Sequence, residues 1–289
     1  MLYGMMSLSA RYSDSPYFAD SNSRDHGKSF MSKANTLYDS ITNSSTPHPS
    51  SLRWLQGCIL LAYCRQATCP NWSGDALTTV CRKLACDLEL HKTDERATQH
   101  ENSRMRSSTD DDWVSKEERR RAWWSVWELE RFDCIASRQL ITRSNLESFV
   151  KLPISDEAWF GGKPVASECL DADPHLAWKS LKGSENGDPR AWFLVGNDVM
   201  SRCYQLGLRD EATDKEIDDM EMVISCFLLL FHDRFQTSGR QLPFDERNHP
   251  QSNWKLLTQI MLQTYVFMSR FPPFDNVPTL YCCVLRASR

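Results

Sequence analysis

Residues 117–131 of the chain read Glu-Glu-Arg-Arg-Arg-Ala-Trp-Trp-Ser-Val-Trp-Glu-Leu-Glu-Arg. This stretch places three tryptophans among four arginines and four glutamates. Tryptophan has a large apolar surface, and tryptophans at helical spacing predict a helix with a buried face. The residues predicted to lie on or beside that face are Trp123, Trp124, Trp127, Cys134 and Ile135. We therefore expect this helix to lie at the centre of a hydrophobic core.

The charged residues of the same stretch predict ion pairs along the helix. Glu117 and Glu118 lie at its N-terminal end, where the helix dipole favours negative charge. Glu117 can also meet Arg121 one turn later. The three consecutive arginines could form a nucleic-acid patch or an import signal. We favour a helix surface on which these arginines pair with neighbouring glutamates.

The bulk composition is that of an ordinary globular protein and excludes several classes. The chain has 289 residues, of which 41% are hydrophobic and 25% are charged, and its formal net charge is −4. A stand-alone nucleic-acid-binding protein is more often strongly basic. The longest apolar run, residues 222–231, is too short to span a membrane. The N-terminus shows no signal-peptide pattern.

Cysteine usage predicts reduced thiols and not a metal site. The sequence contains 11 cysteines, an odd number, and no two of them have the C-x-x-C spacing that is typical of zinc sites. Several fall on apolar helical faces, as Cys58, Cys134 and Cys203 do. We therefore expect no metal and no cofactor in this chain.

Apolar residues recur at helical spacing almost throughout, which predicts an all-α fold with several helices. Asp188-Pro189 predicts a helix start with a side-chain cap and proline in the first turn. Residues 92–116 are polar and predict a long flexible surface loop. The apolar start at Met1 resembles the second half of a helix, so we expect a domain that covers residues 1–289 and is truncated at its N-terminus. The predicted helical stripes lie in residues 30–41, 52–62, 77–88, 117–135, 192–206, 217–235 and 254–268.

Several sequence blocks resemble, in the correct order, the regulatory middle homology region of fungal zinc-cluster transcription factors. The early block is Ser51–Leu61, with a leucine-glutamine pair before an aliphatic run. The next is Leu84–His91, in which Glu89 stands where the family usually has glycine. Residues 137–140 keep only the arginine of the family's glycine-arginine-proline element, and Leu152-Pro153 begins the closing block. The resemblance is strongest over residues 51–159.

The tryptophan-rich helix resembles the signature helix of that family. Glu130 stands where the family normally has aspartate, and for Glu130 and Arg131 we expect structural hydrogen bonds or ion pairs and not chemistry. The residues that match the signature are Glu118, Arg119, Arg120, Arg121, Trp123, Trp124, Trp127, Glu130 and Arg131.

The resemblance implies a non-catalytic nuclear domain that regulates transcription. Its expected partners are other protein segments, the transcription machinery or a small-molecule effector, with no membrane contact. The family's six-cysteine zinc cluster, which reads DNA, has no counterpart in this sequence. The resemblance therefore implies no direct nucleic-acid binding by this chain.

One enzyme class provides an alternative hypothesis. Asn197, Asp198 and Ser201, followed by Gln205, are similar to the magnesium-binding motif of all-α terpene synthases. Residues one turn apart share a helical face, and oxygen ligands suit magnesium. The run Asp110–Asp112 could serve as the partner aspartate-rich motif. Against this hypothesis, the last ligand position is a glutamine and the aspartates fall in the predicted loop.

Overall fold

The computed structural model describes most of the chain. The described residues are 1–23, 25–44, 50–68, 76–95, 110–137, 139–141, 148–171, 173, 175–209, 212–237 and 248–269. Within them the regular elements are nine α-helices and four short 3-10 helices, and the β-structure is limited to one isolated bridge between Lys151 and Cys169. The predicted all-α fold is confirmed. The helices are α1 Leu2–Ser9, α2 Lys28–Thr42, α3 Leu52–Thr68, α4 Ala76–Asp87, α5 Asp110–Ala136, α6 Asp156–Phe160, α7 Pro189–Gly207, α8 Asp214–Phe235 and α9 His249–Ser269.

Helix α5 carries the tryptophans and is buried on two faces. One face contributes Trp124, Trp127 and other side chains to a C-terminal core built with α7, α8 and α9. The other face contributes Val126 and Leu129 to an N-terminal core built with α3 and α4. The side chain of Trp123 packs against both cores. The sequence prediction of a single buried stripe was therefore incomplete, because α5 joins two cores.

A close backbone contact holds α1 against the start of α2. The hydroxyl of Ser7 donates to the carbonyl of Gly27 over 3.1 Å. A Cβ atom at Gly27 would lie only 2.2 Å from the Ser7 carbonyl oxygen, so the approach requires glycine. Helix α1 thus stays against the start of α2 through a contact that no larger residue would allow.

The C-terminal core is centred on α7. Phe193, Phe227 and Phe231 are fully buried there. Helix α8 begins with a capping box, in which Thr213 accepts from the backbone N–H of Glu216 and the carboxylate of Glu216 accepts from that of Thr213. Ring contacts of Trp192 with Phe227 and of Phe193 with Trp254 place α7 against both α8 and α9.

The predicted start of α7 is correct in position and wrong in its cap. Pro189 lies in the first turn, but the side chain of Asp188 makes no capping hydrogen bond. The backbone N–H of Asp188 instead donates to the side-chain oxygen of Asn186 over 3.0 Å. The carboxylate lies next to Arg190, whose charge and backbone N–H both favour its ionised form.

The predicted polar loop over residues 92–116 differs from the structure at both ends. Lys92 closes a 3-10 helix that spans Leu90–Lys92, and α5 already begins at Asp110. The carbonyl of Val114 accepts a hydrogen bond from the indole N–H of Trp159 at 3.4 Å, so this part of the stretch has tertiary contacts. The centre of the predicted loop, residues 96–109, lies outside the described residues.

In the described part of the chain, no helix has both the length and the apolar character that crossing a membrane requires.

Replacing Trp127 with alanine tests the central position of α5. The side chain is 9% exposed and belongs to the C-terminal core. Its loss leaves a cavity, so we expect the free energy of unfolding to fall by about 3–5 kcal/mol in chemical denaturation. The control is Tyr17→Ala, because Tyr17 is 80% exposed and its loss is expected to change stability by about 0.5 kcal/mol or less. Equal effects of the two substitutions would contradict the assignment.

Candidate functional site

Two of the three consecutive arginines of α5 fix the chain that follows α4. Arg119 donates from Nη2 to the backbone carbonyl of Leu88 over 2.7 Å. Arg120 binds the carboxylate of Asp94 with two nitrogens, Nε at 2.8 Å and Nη2 at 2.5 Å. Both side chains of this pair are more than nine-tenths buried. A two-point contact between planar groups fixes orientation as well as distance.

The third arginine fixes a different segment. Arg121 donates from Nη2 to the carbonyl of Ile154 over 2.6 Å and from Nη1 to the carboxylate of Asp156. Its guanidinium carbon lies 4.4 Å from the ring centre of Trp159, which is the geometry of a cation–π contact. Arg121 therefore connects α5 with the start of α6.

Glu117 lies between these arginines and is completely buried. Its carboxylate accepts from Arg120 at 3.2 Å, from Arg121 at 3.2 Å and from the backbone N–H of Ile154 at 3.0 Å. Burial raises the pKa of Glu117, and the three donors act against this rise. The predicted contact between Glu117 and Arg121 is confirmed, but it is one part of a larger buried network.

Asp94 extends the network to the segment that precedes α6. The carboxylate of Asp94 also accepts from the backbone N–H of Lys151 over 2.8 Å. Backbone hydrogen bonds join Asp94 to Phe149 at 2.8 Å and Phe149 to His91 at 2.7 Å. The indole N–H of Trp124 donates to the carbonyl of Lys151 over 2.8 Å. Residues 149–154 are thus held by side chains of α5.

The outer charged residues of the stretch also make tertiary contacts. Glu118 accepts from the side chain of Gln56 over 2.7 Å, which joins α5 to α3. Glu130 accepts from Arg82 of α4 over 2.6 Å. Burial raises the pKa of Glu130, and the charge of Arg82 lowers it. The expected structural role of Glu130 matches this geometry.

Arg131 lies at the seam between α5 and α7. Its guanidinium carbon is 3.4 Å from the ring centre of Trp127. Its Nη2 lies 3.9 Å from the carboxylate of Asp198, which also accepts from Arg202 over 2.5 Å. An expected ion pair of Arg131 is therefore present, and its partner is on α7.

The positions of the arginines correct one sequence interpretation. We expected the arginine triplet to lie on a helix surface and to pair with neighbouring glutamates. Arg120 and Arg121 do pair with Glu117, so the pairing is confirmed, and the location at the surface is wrong. Arg120 is 7% exposed, and each of the three arginines contacts a segment outside α5. A nucleic-acid patch or an import signal requires exposed cations. The buried network leaves these arginines unsuited to either role.

Sequence reasoning missed Asp94, and it identified Leu152-Pro153 only as the start of a family block without relating it to α5. Asp94 belongs to a stretch that is polar in sequence, and nothing in its spacing relates it to α5. The one available signal was the arginine triplet itself, because three adjacent cations on a helix with buried tryptophans require acceptors from elsewhere in the chain.

The residues of the proposed magnesium motif do not form a magnesium site. Asn197, Asp198 and Ser201 are buried inside α7, and Asp198 is paired with arginines. Gln205 donates to a backbone carbonyl. The run Asp110–Asp112 forms the first turn of α5. Among the described residues no group of three His, Cys, Asp or Glu side chains could hold a metal ion. The terpene synthase alternative is not supported.

Glu89 adopts a backbone conformation that favours glycine. Its φ is 52° and its ψ is 34°, in the left-handed region. This is the position at which the sequence resemblance led us to expect glycine. The side chain of Glu89 contacts Lys92 at 3.1 Å on the protein surface, where an ion pair contributes little. The chain makes the sharp turn after α4 with a residue that is strained there.

Comparison with known families gives a match over most of the chain. The family model described as the fungal specific transcription factor domain matches residues 1–263. The match includes α1 to α8 and most of α9. No curated protein and no solved structure matches the chain.

Replacing Glu89 with glycine is expected to stabilise the protein. Glycine adopts positive φ without a steric penalty, and the strain of a single left-handed residue is on the order of 1 kcal/mol. Chemical denaturation should therefore show a gain of up to about 1 kcal/mol. Glu89→Ala is the matched control, since it removes the surface contact but keeps a Cβ atom. If alanine stabilises as much as glycine, backbone strain is not the cause.

Asp188 is expected to make stability depend on pH. The pKa of Asp188 is raised from 3.8 to about 6, chiefly because the carboxylate is buried. The charge of Arg190 limits this rise. The folded protein therefore binds the proton more tightly than the unfolded chain does. This group lowers stability progressively as pH rises from about 4 to 6, by on the order of 3 kcal/mol in total.

Asp188→Asn removes this ionisation. Denaturation curves at pH 4 and pH 7 should show little difference between variant and parent at pH 4 and a more stable variant at pH 7. A variant that is less stable than the parent at pH 7 would show that the ionised carboxylate stabilises the start of α7.

Proposed function

We propose that this chain, which belongs to the family of fungal specific transcription factor domains, is a non-catalytic regulatory module of a transcription regulator. It acts in the nucleus and controls transcription through contacts with other protein segments, with the transcription machinery or with a small effector. It needs no metal or organic cofactor of its own, and it does not bind DNA itself. The observation that carries this proposal is the family match, which extends over residues 1–263.

The arginines of α5 bind groups within the protein, and this supports the proposal that the chain does not bind DNA. Nucleic-acid binding requires cations that face solvent and neutralise phosphates. Arg120 and Arg121 contact buried or partly buried acceptors instead, and the chain as a whole carries a formal charge of −4. We therefore assign to the most basic stretch of the sequence a role in stabilising the fold.

The connection between the two cores supports a regulatory role. Helix α5 contributes to both cores, and Arg121 holds the segment that leads into α6 and the first residue of α6. A contact made at one core can influence the other through this shared helix. This arrangement suits a domain whose output depends on what it binds.

A tethering experiment tests the regulatory proposal. The chain is placed between a heterologous DNA-binding domain and an activation segment, and reporter output is compared with that of the same fusion without the chain. We expect the output to differ several-fold. The matched control is the Trp127→Ala fusion, whose destabilised core should return the output towards that of the fusion without the chain. Identical output from all three fusions would contradict the proposal.

Direct DNA-binding measurements test the second part of the proposal. In fluorescence anisotropy at physiological salt, we expect at most weak and salt-sensitive association, with a Kd no tighter than about 1 μM and no sequence preference. Sequence-selective binding with a Kd tighter than about 1 μM would contradict the proposal that this chain does not bind DNA.

A further inference from the structure

Helix α8 has a core face and an opposite face that projects into solvent. Ile224, Phe227 and Phe231 are fully buried in the C-terminal core. Met222 is 63% exposed and Leu229 is 70% exposed. These two residues lie about two helical turns apart, so they share one face, opposite the phenylalanines. Large apolar side chains with this exposure on a helix packed into a core indicate a contact surface.

Carboxylates surround this apolar stripe. Asp218 and Asp219 lie about one turn before Met222, and Asp233 lies one turn after Leu229; all three are exposed. Lys215 is the basic residue on the same face. The other nearby cation is Arg234 at the end of α8, and its guanidinium lies against Gly187 in the loop before α7. The outward face therefore has an excess of negative charge around an apolar centre.

We propose that the outward face of α8 binds a helix of a partner protein that carries an apolar stripe bordered by lysines or arginines. Apolar residues seven positions apart match the repeat with which two helices pack side by side. The carboxylates select a basic partner and disfavour an acidic one. The inference rests on the proposed function, in which the domain acts through protein contacts, and it specifies the chemistry of one such contact.

Helix α1 provides an internal comparison. Leu2 is 63% exposed and Met5 is 51% exposed, so this surface is also apolar. The sequence of α1 contains no charged residue. A partner that binds α8 through charge as well as apolar contact will therefore not depend on α1.

Peptide binding to the full chain tests the inference. The probe is a synthetic helix with leucines at positions i, i+3, i+4 and i+7 and lysines on both borders, labelled for fluorescence anisotropy. Its twin carries glutamate in place of every lysine. We expect the lysine peptide to bind, its affinity to weaken as salt concentration rises, and the glutamate peptide not to bind.

Surface variants locate the binding site. Leu229→Gln is expected to weaken binding of the lysine peptide about tenfold, and Asp219→Asn is expected to weaken it and to reduce its salt dependence. Leu2→Gln on α1 is the matched control and should leave the affinity unchanged. Because all three side chains are exposed, thermal melts should coincide with that of the parent.

Three results would overturn the inference. The first is equal binding of the two peptides, or equal effects of the α1 and α8 variants. The second is binding that appears only after residues 270–289 are removed, which would assign the face to the chain's own C-terminal segment. The third is a dimer in sedimentation that Leu229→Gln converts to a monomer, which would assign it to a second copy. The tethering experiment above is read out independently, so failure here leaves the regulatory proposal standing.

Discussion

The hydrogen bonds and ion pairs of the buried Glu117 carboxylate are the interactions on which the rest of the structure depends. A completely buried charge is costly unless several donors satisfy it, and Glu117 has two arginines and a backbone N–H around it. Arg120 and Arg121 in turn satisfy Asp94 and the carbonyl of Ile154. Removal of any member leaves another buried group without its partner. The network therefore fixes how the segments outside α5 lie against it.

This constraint explains why one helix can serve two cores. A helix with apolar residues on two opposite faces has little free surface for charged side chains, so most of its charges are paired with other segments of the protein. The N-terminal half of α5 pairs them with the chain that follows α4 and with the segment 149–156, and Glu130 and Arg131 pair with α4 and α7. The tryptophans then fill the spaces between these pairs. In this chain the basic stretch is therefore a structural element, and the regulatory contacts that we propose lie on other surfaces.

The sequence predicted the helices well, because burial at a spacing of three to four residues leaves a clear pattern. It also marked the position of Glu89, where the structure has a positive φ. It did not predict the second face of α5, since Val126 stands beside Trp127 and Leu129 stands between two glutamates, so the tryptophans dominate the apolar pattern. Nor did it predict the pair of Arg120 with Asp94, which joins a helix to a stretch with no pattern of its own. Long-range ion pairs of this kind have no local sequence signal.

A double-mutant cycle on Glu117 and Arg120 tests the central claim most directly. Chemical denaturation is measured for the parent, Glu117→Ala, Arg120→Ala and the double variant, with the exposed pair Asp25 and Lys28 as the matched control. The account predicts that each single substitution in the network costs about 3–5 kcal/mol and that the double variant loses clearly less than the sum. The control substitutions should cost less than about 1 kcal/mol. Single losses at Glu117 and Arg120 as small as those of the control pair, with additive effects, would contradict the claim that this buried carboxylate holds the fold together.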